Sequence, residues 1–299
     1  MKKPVIIDVD TGIDDAMAIM MLSHSKHLDI KFFCSVSGNT SAKQGAKNTL
    51  SVLAALQKKY DVLVGANTGF KRTRINRHAH GNNGLGNVAM PKHSFTLCKD
   101  NYIDRYKLEL EKNKKKTTIL ALGPLTNIAK LLKKHPNLST KIEKVVFMGS
   151  SLDIPEGETP YAGFNVACDP EALEFVMQKG VKILFCPNNL GRSAYLTPNE
   201  ILKIANTSSF GKLISKMFEN YKDHFIKDGA PMYDPCAAFA LLQPKHCTIK
   251  KVFMDIRYYP CLDTALAIPN FNNAPNAEIV TDINTNKIKK MFFKKLKNK

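Results

Sequence analysis

Short apolar runs alternating with amphipathic helical patterns predict an α/β fold, a single domain with a mostly parallel central sheet flanked by helices. Two observations carry this. The apolar runs are four to eight residues long and rich in Val, Ile and Phe, the composition of buried strands. The segments between them repeat apolar residues every three or four positions, the period of a helix with one buried face. The resulting sheet is open and Rossmann-like, so ligands are expected outside the C-terminal ends of its strands.

In chain order, PVIIDV, IKFFCSV, VLVGA, TTILALG, KVVFMGS and VKILFC read as strands. DDAMAIMMLSHS, SAKQGAKNTLSVLAALQKK, PLTNIAKLLKKH and DPEALEFVMQKG read as the helices between them. Residues 67–92, which contain HGNNGLGN, form a long irregular stretch of the kind that often serves as a functional loop. Residues 198–227 read as one or two helices, after which VFMDIRYYP and AEIVTDI return to strand character. No repeat or Pro/Ser/Gly-rich linker intervenes, so residues 1–299 are expected to form one domain, with a lysine-rich tail at 287–299.

Composition narrows the function. The balance of 44 basic against 26 acidic residues gives a net charge of +18. Seven lysines fall in the last 13 residues and four more between Lys112 and Lys116. Charge of this kind, mostly lysine and without a nucleic-acid-binding motif, decorates solvated faces, and no nucleic-acid partner is expected. The tail places Met291, Phe292, Phe293 and Leu296 among its lysines, the pattern of a terminal helix docking its apolar side on the domain, with a membrane-surface helix as the competing reading. A tail of that kind is expected to be dispensable for catalysis. No apolar run approaches the roughly 20 residues of a membrane helix, and Asp8 and Asp10 interrupt the N-terminal one, so a cytoplasmic location is expected. The cysteines at 34, 98, 168, 186, 236, 247 and 261 are odd in number and lack metal-ligand spacing, which predicts reduced thiols.

The chemistry concentrates in DVDTGIDDAMAI, residues 8–19. A strand ends at Asp8 to Asp10, the chain turns through Thr11 and Gly12, and a helix opens at Asp14 and Asp15. Acidic residues at a helix N-terminus complement its dipole, which accounts for Asp14 or Asp15 but not for Asp8 and Asp10 beside them. Several carboxylates in one small volume call for a cation, and all-oxygen donors favour Ca²⁺ or Mg²⁺. The strand followed by Asp8-Val9-Asp10-Thr11 also suits a Mg²⁺-dependent phosphatase, whose motif requires Thr or Val where Gly12 stands.

This segment resembles the N-terminal signature of the inosine-uridine-preferring nucleoside hydrolase family. SGNTSAKQGAKNTL (37–50), HGNNGLG (80–86), ALGPLTNIAKLLKKHP (121–136), MGS (148–150), FNVACDPEA (164–172) and YDPCAA (233–238) resemble further family blocks, in family order. The resemblance implies a calcium ion held by Asp10, Asp15, Asp234 and the backbone carbonyl of Thr126. It implies that Asp10 deprotonates a calcium-held water and that Asp14, Asn39, Asn165 and Asp234 grip the ribose hydroxyls. The sugar would pass through an oxocarbenium-like cation stabilised by these carboxylates. A small nucleoside is the implied substrate and a homodimer or homotetramer the implied assembly. Asn39 and Asn165 also suit turns, and Asp234 before Pro235 suits a helix N-cap. Asp169 before Pro170 is read as a cap, and Asn127 as structural.

The chain departs from the family at two positions. Tyr233 stands where a histidine commonly protonates the leaving base, and Gly163 where a glutamate commonly reaches the ribose 5′-hydroxyl. Losing that carboxylate costs about 1–3 kcal/mol of binding if nothing replaces it. A catalytically weak binder of nucleosides or ribose that keeps the metal site is therefore the alternative reading. His80, which opens HGNNGLG, is read as the donor to the departing base, brought over it by loop closure; packing within the loop is the competing reading. Tyr221, His224 and Phe225, on one helical face, are read either as completing the base pocket or as an ordinary core or surface face.

Overall fold

The computed structural model describes residues 2–71, 79–152, 163–221, 229–259 and 264–297. The first half alternates strand and helix: β1 (Lys3–Val9), α1 (Ile13–Ser23), β2 (Leu28–Ser35), α2 (Ala42–Ala55) and β3 (Val62–Val64). It continues through α3 (Tyr102–Lys112), β4 (Thr117–Ala121), α4 (Thr126–Lys134) and β5 (Ile142–Met148). Next come α5 (Phe164–Cys168), α6 (Pro170–Gln178), β6 (Ile183–Cys186) and α7 (Asn188–Ser193). Helices α8 (Pro198–Ala205), α9 (Ser209–Phe218) and α10 (Tyr233–Leu242) precede β7 (Cys247–Tyr259), β8 (Thr264–Asn270), β9 (Ala277–Ile283) and α11 (Thr285–Leu296).

Among the described residues the strands form one sheet, ordered β3-β2-β1-β4-β5-β6-β9-β7-β8. Pairing is parallel from β3 to β9, and β7 runs antiparallel to both β9 and β8. The expected single-domain, mostly parallel α/β fold is therefore the observed one. Strand β8 was not anticipated. Its TALAIPN sequence carries Pro269, which weakens a strand reading but suits the sheet edge where β8 lies.

The sheet divides two apolar layers. Val5, Ile7 and Val9 of β1 point into a core with α1, α2, α9, α10 and α11, whereas Ile6 points into one with α3, α4 and α6. Helix α1 is buried on every side, held between the sheet and the surrounding helices. The lysine-rich tail is indeed a docked helix: Ile288 and Phe292 are fully buried and Leu296 nearly so. Lys289 pairs with Glu200 at 2.8 Å, and Lys295 donates to the His24 carbonyl. This packing is the docked helix that the sequence suggested, and it closes the core over α1. Cys34, Cys168, Cys186 and Cys236 are buried and Cys98 and Cys247 half-buried; Cys261 lies outside the described residues.

Candidate active site

Parallel strands bring their C-terminal ends to one edge, and the acidic residues gather there. Strand β1 stops at Val9, so Asp10 stands beyond the pleat in the turn to α1. The Asn39 amide donates to Asp10 Oδ2 at 2.8 Å, tying the β2 exit loop to this carboxylate. A Cβ on Gly38 would lie 2.1 Å from Asp10 Oδ2, and one on Gly123 3.1 Å from its Cβ and Cγ. The two glycines let the loops after β2 and β4 close around Asp10.

The first turn of α1 supplies two more carboxylates. Asp15 Oδ2 accepts from the Gly12 amide at 2.8 Å and from Asn39 Nδ2 at 3.5 Å. Asp14, Asp15 and Asp234 place carboxylate oxygens within 4.8 Å of one another, all three residues buried. Asp234 is the second residue of α10, whose cap position is Met232, so the N-cap reading of Asp234 is not what the helix shows. The converging triad differs from the expected metal set in one member, containing Asp14 where Asp10 was expected. Asp10 remains coupled to it through the charges of Asp15 and Asp14.

Electrostatics explains why this cluster fits a cation. Burial, then the Asp15 charge, pushes the Asp10 carboxyl well above the ordinary range. Burial and the charge of Asp14 raise Asp15 to about 6, and burial and the same neighbours raise Asp234. Asp10 Oδ1 and Asp15 Oδ1 are buried without a hydrogen-bond partner. Buried carboxylate oxygens are normally satisfied, and a cation among these four side chains would satisfy both atoms.

Asp8 belongs elsewhere, which corrects the reading that grouped it with Asp10. It faces the α3–α4 layer, where its Oδ2 accepts from Tyr106 Oη and, at 3.0 Å, from Asn127 Nδ2. Asn127 also donates to the Ser35 carbonyl at 3.2 Å and accepts from the Ala66 amide at 2.7 Å. It thus ties β1, β2 and the β3 exit together, in keeping with its structural reading. Burial pushes the Asp8 carboxyl up to about 7 despite both side-chain bonds.

The remaining expected residues stand at the starts of helices α4, α5 and α10. Asn165, in α5, donates from Nδ2 to the Leu122 carbonyl at 2.5 Å and the Met148 carbonyl at 3.0 Å, clasping the ends of β4 and β5. Its other amide atom, Oδ1, is the one suited to a hydroxyl. Thr126 opens α4 and donates from Oγ1 to Asp169 Oδ2 at 2.5 Å. Asp169 caps α6 by accepting from the Ala172 amide at 3.2 Å, as read from its proline neighbour. Tyr233 opens α10 beside Asp234 and packs on Gly191, where a Cβ would come within 2.2 Å of its ring.

His80 is already docked, whereas loop closure was expected to bring it in. Its Nδ1 accepts from the Ile13 amide at 3.2 Å, supplying α1 with the cap that Gly12 lacks. It lies 3.9 Å from Asp14 Oδ1, and its ring sits 5.2 Å from that of Tyr221. Accepting through Nδ1 places the proton of the neutral ring on Nε2, leaving that nitrogen as a donor. His224 and Phe225 lie outside the described residues.

Two polar residues escaped the sequence reading. Asn48, in α2, donates to the Thr11 carbonyl at 3.0 Å and the Asn83 carbonyl at 2.8 Å, joining the His80 loop to the aspartate turn. It lies within the block 37–50, but only the fold turns it toward both loops. Asn188 follows β6 after Pro187, a strand-end position that was a usable signal. Its Nδ2 lies 3.6 Å from where a Cβ on Gly163 would stand. Gly163 has φ 81° and that Cβ would lie 3.0 Å from the Ser150 amide nitrogen, so a glutamate there would strain the backbone.

Residues 5–290 match the family described as inosine-uridine preferring nucleoside hydrolase. The chain is 31% identical over 298 residues to the pyrimidine-specific ribonucleoside hydrolase RihA of Salmonella paratyphi B, covering 95% of this chain and 94% of the relative. RihA of Salmonella typhi gives the same figures, 31% over 298 residues with 95% and 94% covered. The structure of the plant nucleoside hydrolase PpNRh1 aligns with TM-score 0.89 and 23% identity over 100% of both chains. The purine-preferring ribonucleoside hydrolase from Gardnerella vaginalis aligns with TM-score 0.89 and 22% identity, covering 99% of this chain and 98% of that one. The matched span runs from β1 into α11 and takes in every element that contributes to the acidic edge. This chain belongs to the inosine-uridine preferring nucleoside hydrolase family and is a nucleoside hydrolase.

Proposed function

We propose that the protein hydrolyses the N-glycosidic bond of ribonucleosides to ribose and free base, using a calcium ion. Asp10, Asp15, Asp234 and the Thr126 carbonyl would hold the ion, with Asp14 converging on the same point. The observation that carries this is the pair of buried, unpartnered oxygens, Asp10 Oδ1 and Asp15 Oδ1, in a cluster of mutually opposed carboxylates. When bound, a divalent cation neutralises that charge and lowers the pKa of a nearby water.

The side chains supply the rest. With Oδ2 fixed by Asn39, Asp10 has Oδ1 left to orient the attacking water and take its proton. Asp14, Asn39, Asn165 and Asp234 grip the ribose hydroxyls, and the carboxylates stabilise the sugar as it gains positive charge. His80 Nε2 and the hydroxyl of Tyr233 are the donors for the departing base. Asn188 stands beside Gly163 and takes the 5′ end of the ribose in place of the glutamate that the backbone there disfavours.

Turnover of uridine, inosine and p-nitrophenyl riboside by wild type and Asp10→Ala tests this reading, together with metal analysis of protein purified without chelator. Wild type should carry close to one equivalent of calcium, and Asp10→Ala should lose turnover on all three substrates. Near wild-type rates from Asp10→Ala would falsify the mechanism, and zinc in place of calcium would overturn the metal assignment.

A further inference from the structure

The opposite edge of the sheet carries a second concave site. A cleft of about 640 Å³ is lined by Lys2, Lys3, Lys115, Lys116 and Lys144, with Glu143 as the acidic side chain in its wall. Parallel pairing produces this grouping. The N-terminal ends of β1, β4 and β5 lie side by side, and Val5 pairs with Thr118, which sets Lys3 level with Lys116. Lys144 is on the next strand, so ammonium groups are spread over roughly 10 Å of sheet edge, two strand spacings. Lysines held together in a concave wall concentrate positive potential and select ligands with several negative charges.

The far wall has a different character. Ala240, Leu241 and Pro244, from the end of α10 and the turn after it, give the cleft an apolar side. Its volume suits a small molecule, whereas a nucleic-acid strand would need a longer track along the surface. We propose that this cleft binds a small molecule carrying two or three linked phosphates, the chemistry shared by free oligophosphates and nucleoside di- and triphosphates. The site is separate from the acidic edge, and its existence does not depend on the reaction proposed there. Strand β1 and helix α10 nevertheless join the two: β1 leads from Lys3 to Asp10, and α10 from Leu241 back to Asp234.

Calorimetric titration with tripolyphosphate and with uridine triphosphate, in metal-free buffer at about 150 mM salt, tests the proposal. One saturable site is expected for at least one of them. Replacing Lys3, Lys116 and Lys144 together by glutamine should weaken it at least 10-fold, while retained circular dichroism and nucleoside turnover show an intact fold. Removing the same charge from the exposed face of α11 (Lys290→Gln, Lys294→Gln, Lys297→Gln) should weaken it less than about 2-fold, because those lysines lie elsewhere. Tighter binding of the nucleotide would assign its base to the apolar wall, and equal affinities would leave the phosphates as the recognised group; either result supports the site. Absence of saturable binding by both ligands at about 1 mM, or equal losses in the two triple variants, would overturn it.

Discussion

Stripping the metal should expose a stability cost that depends on pH. Burial and the charge of Asp14 move the Asp15 carboxyl from 3.8 to about 6. A folded-state pKa above the unfolded one means that the folded chain binds more protons across that interval. The metal-free protein therefore loses stability as pH rises from about 4 to about 6, by roughly 3 kcal/mol for a two-unit displacement. For a chain of this length that is about 5 °C in Tm. A cation favours the ionised carboxylates and cancels the loss, so calcium should stabilise far more at pH 8 than at pH 5. At about 1,000 times its Kd it contributes about 4 kcal/mol, or roughly 7 °C. Thermal melts of chelator-stripped protein at both pH values, with and without calcium, measure this directly. Equal calcium increments at pH 5 and pH 8, or none at pH 8, would refute the claim that these carboxylates are ligands.

Asp8 provides a contrast, since burial raises it to about 7 in a layer the cation does not reach. Its ionisation costs stability increasingly as pH rises toward 7, and Asp8→Asn, which keeps partners for Asn127 and Tyr106, should raise Tm at pH 8 relative to pH 5. A lower Tm for that variant at pH 8 would contradict the placement. His80→Ala should slow natural nucleosides by roughly 10²-fold and p-nitrophenyl riboside much less; equal losses would make His80 only the cap of α1. Phe292→Ala should cost about 3–5 kcal/mol in denaturant melts, because its buried ring closes the core over α1. Stability unchanged within error would mean that the tail helix is not docked.

Local information carried much of this protein. The alternation of short apolar runs with 3.6-residue periods determined the α/β class and the strands from β1 to β6. The break of β1 into DTGIDD, with acidic residues in the first turn of α1, marked the site before any fold was known. What sequence could not carry was partition between surfaces. Asp8 and Asp10 are two residues apart and would share a face if β1 continued; because it stops at Val9, one is buried under α3 and the other faces the site. Tyr106 comes 98 residues later to meet Asp8, and Asn48 reaches its two loops from a helix whose local pattern says nothing of them. The lysine cleft has the same origin, because positions 3, 116 and 144 become neighbours only through sheet order. Periodicity is written in adjacent residues, whereas a site is assembled from strand ends that are close in space and far apart in the chain.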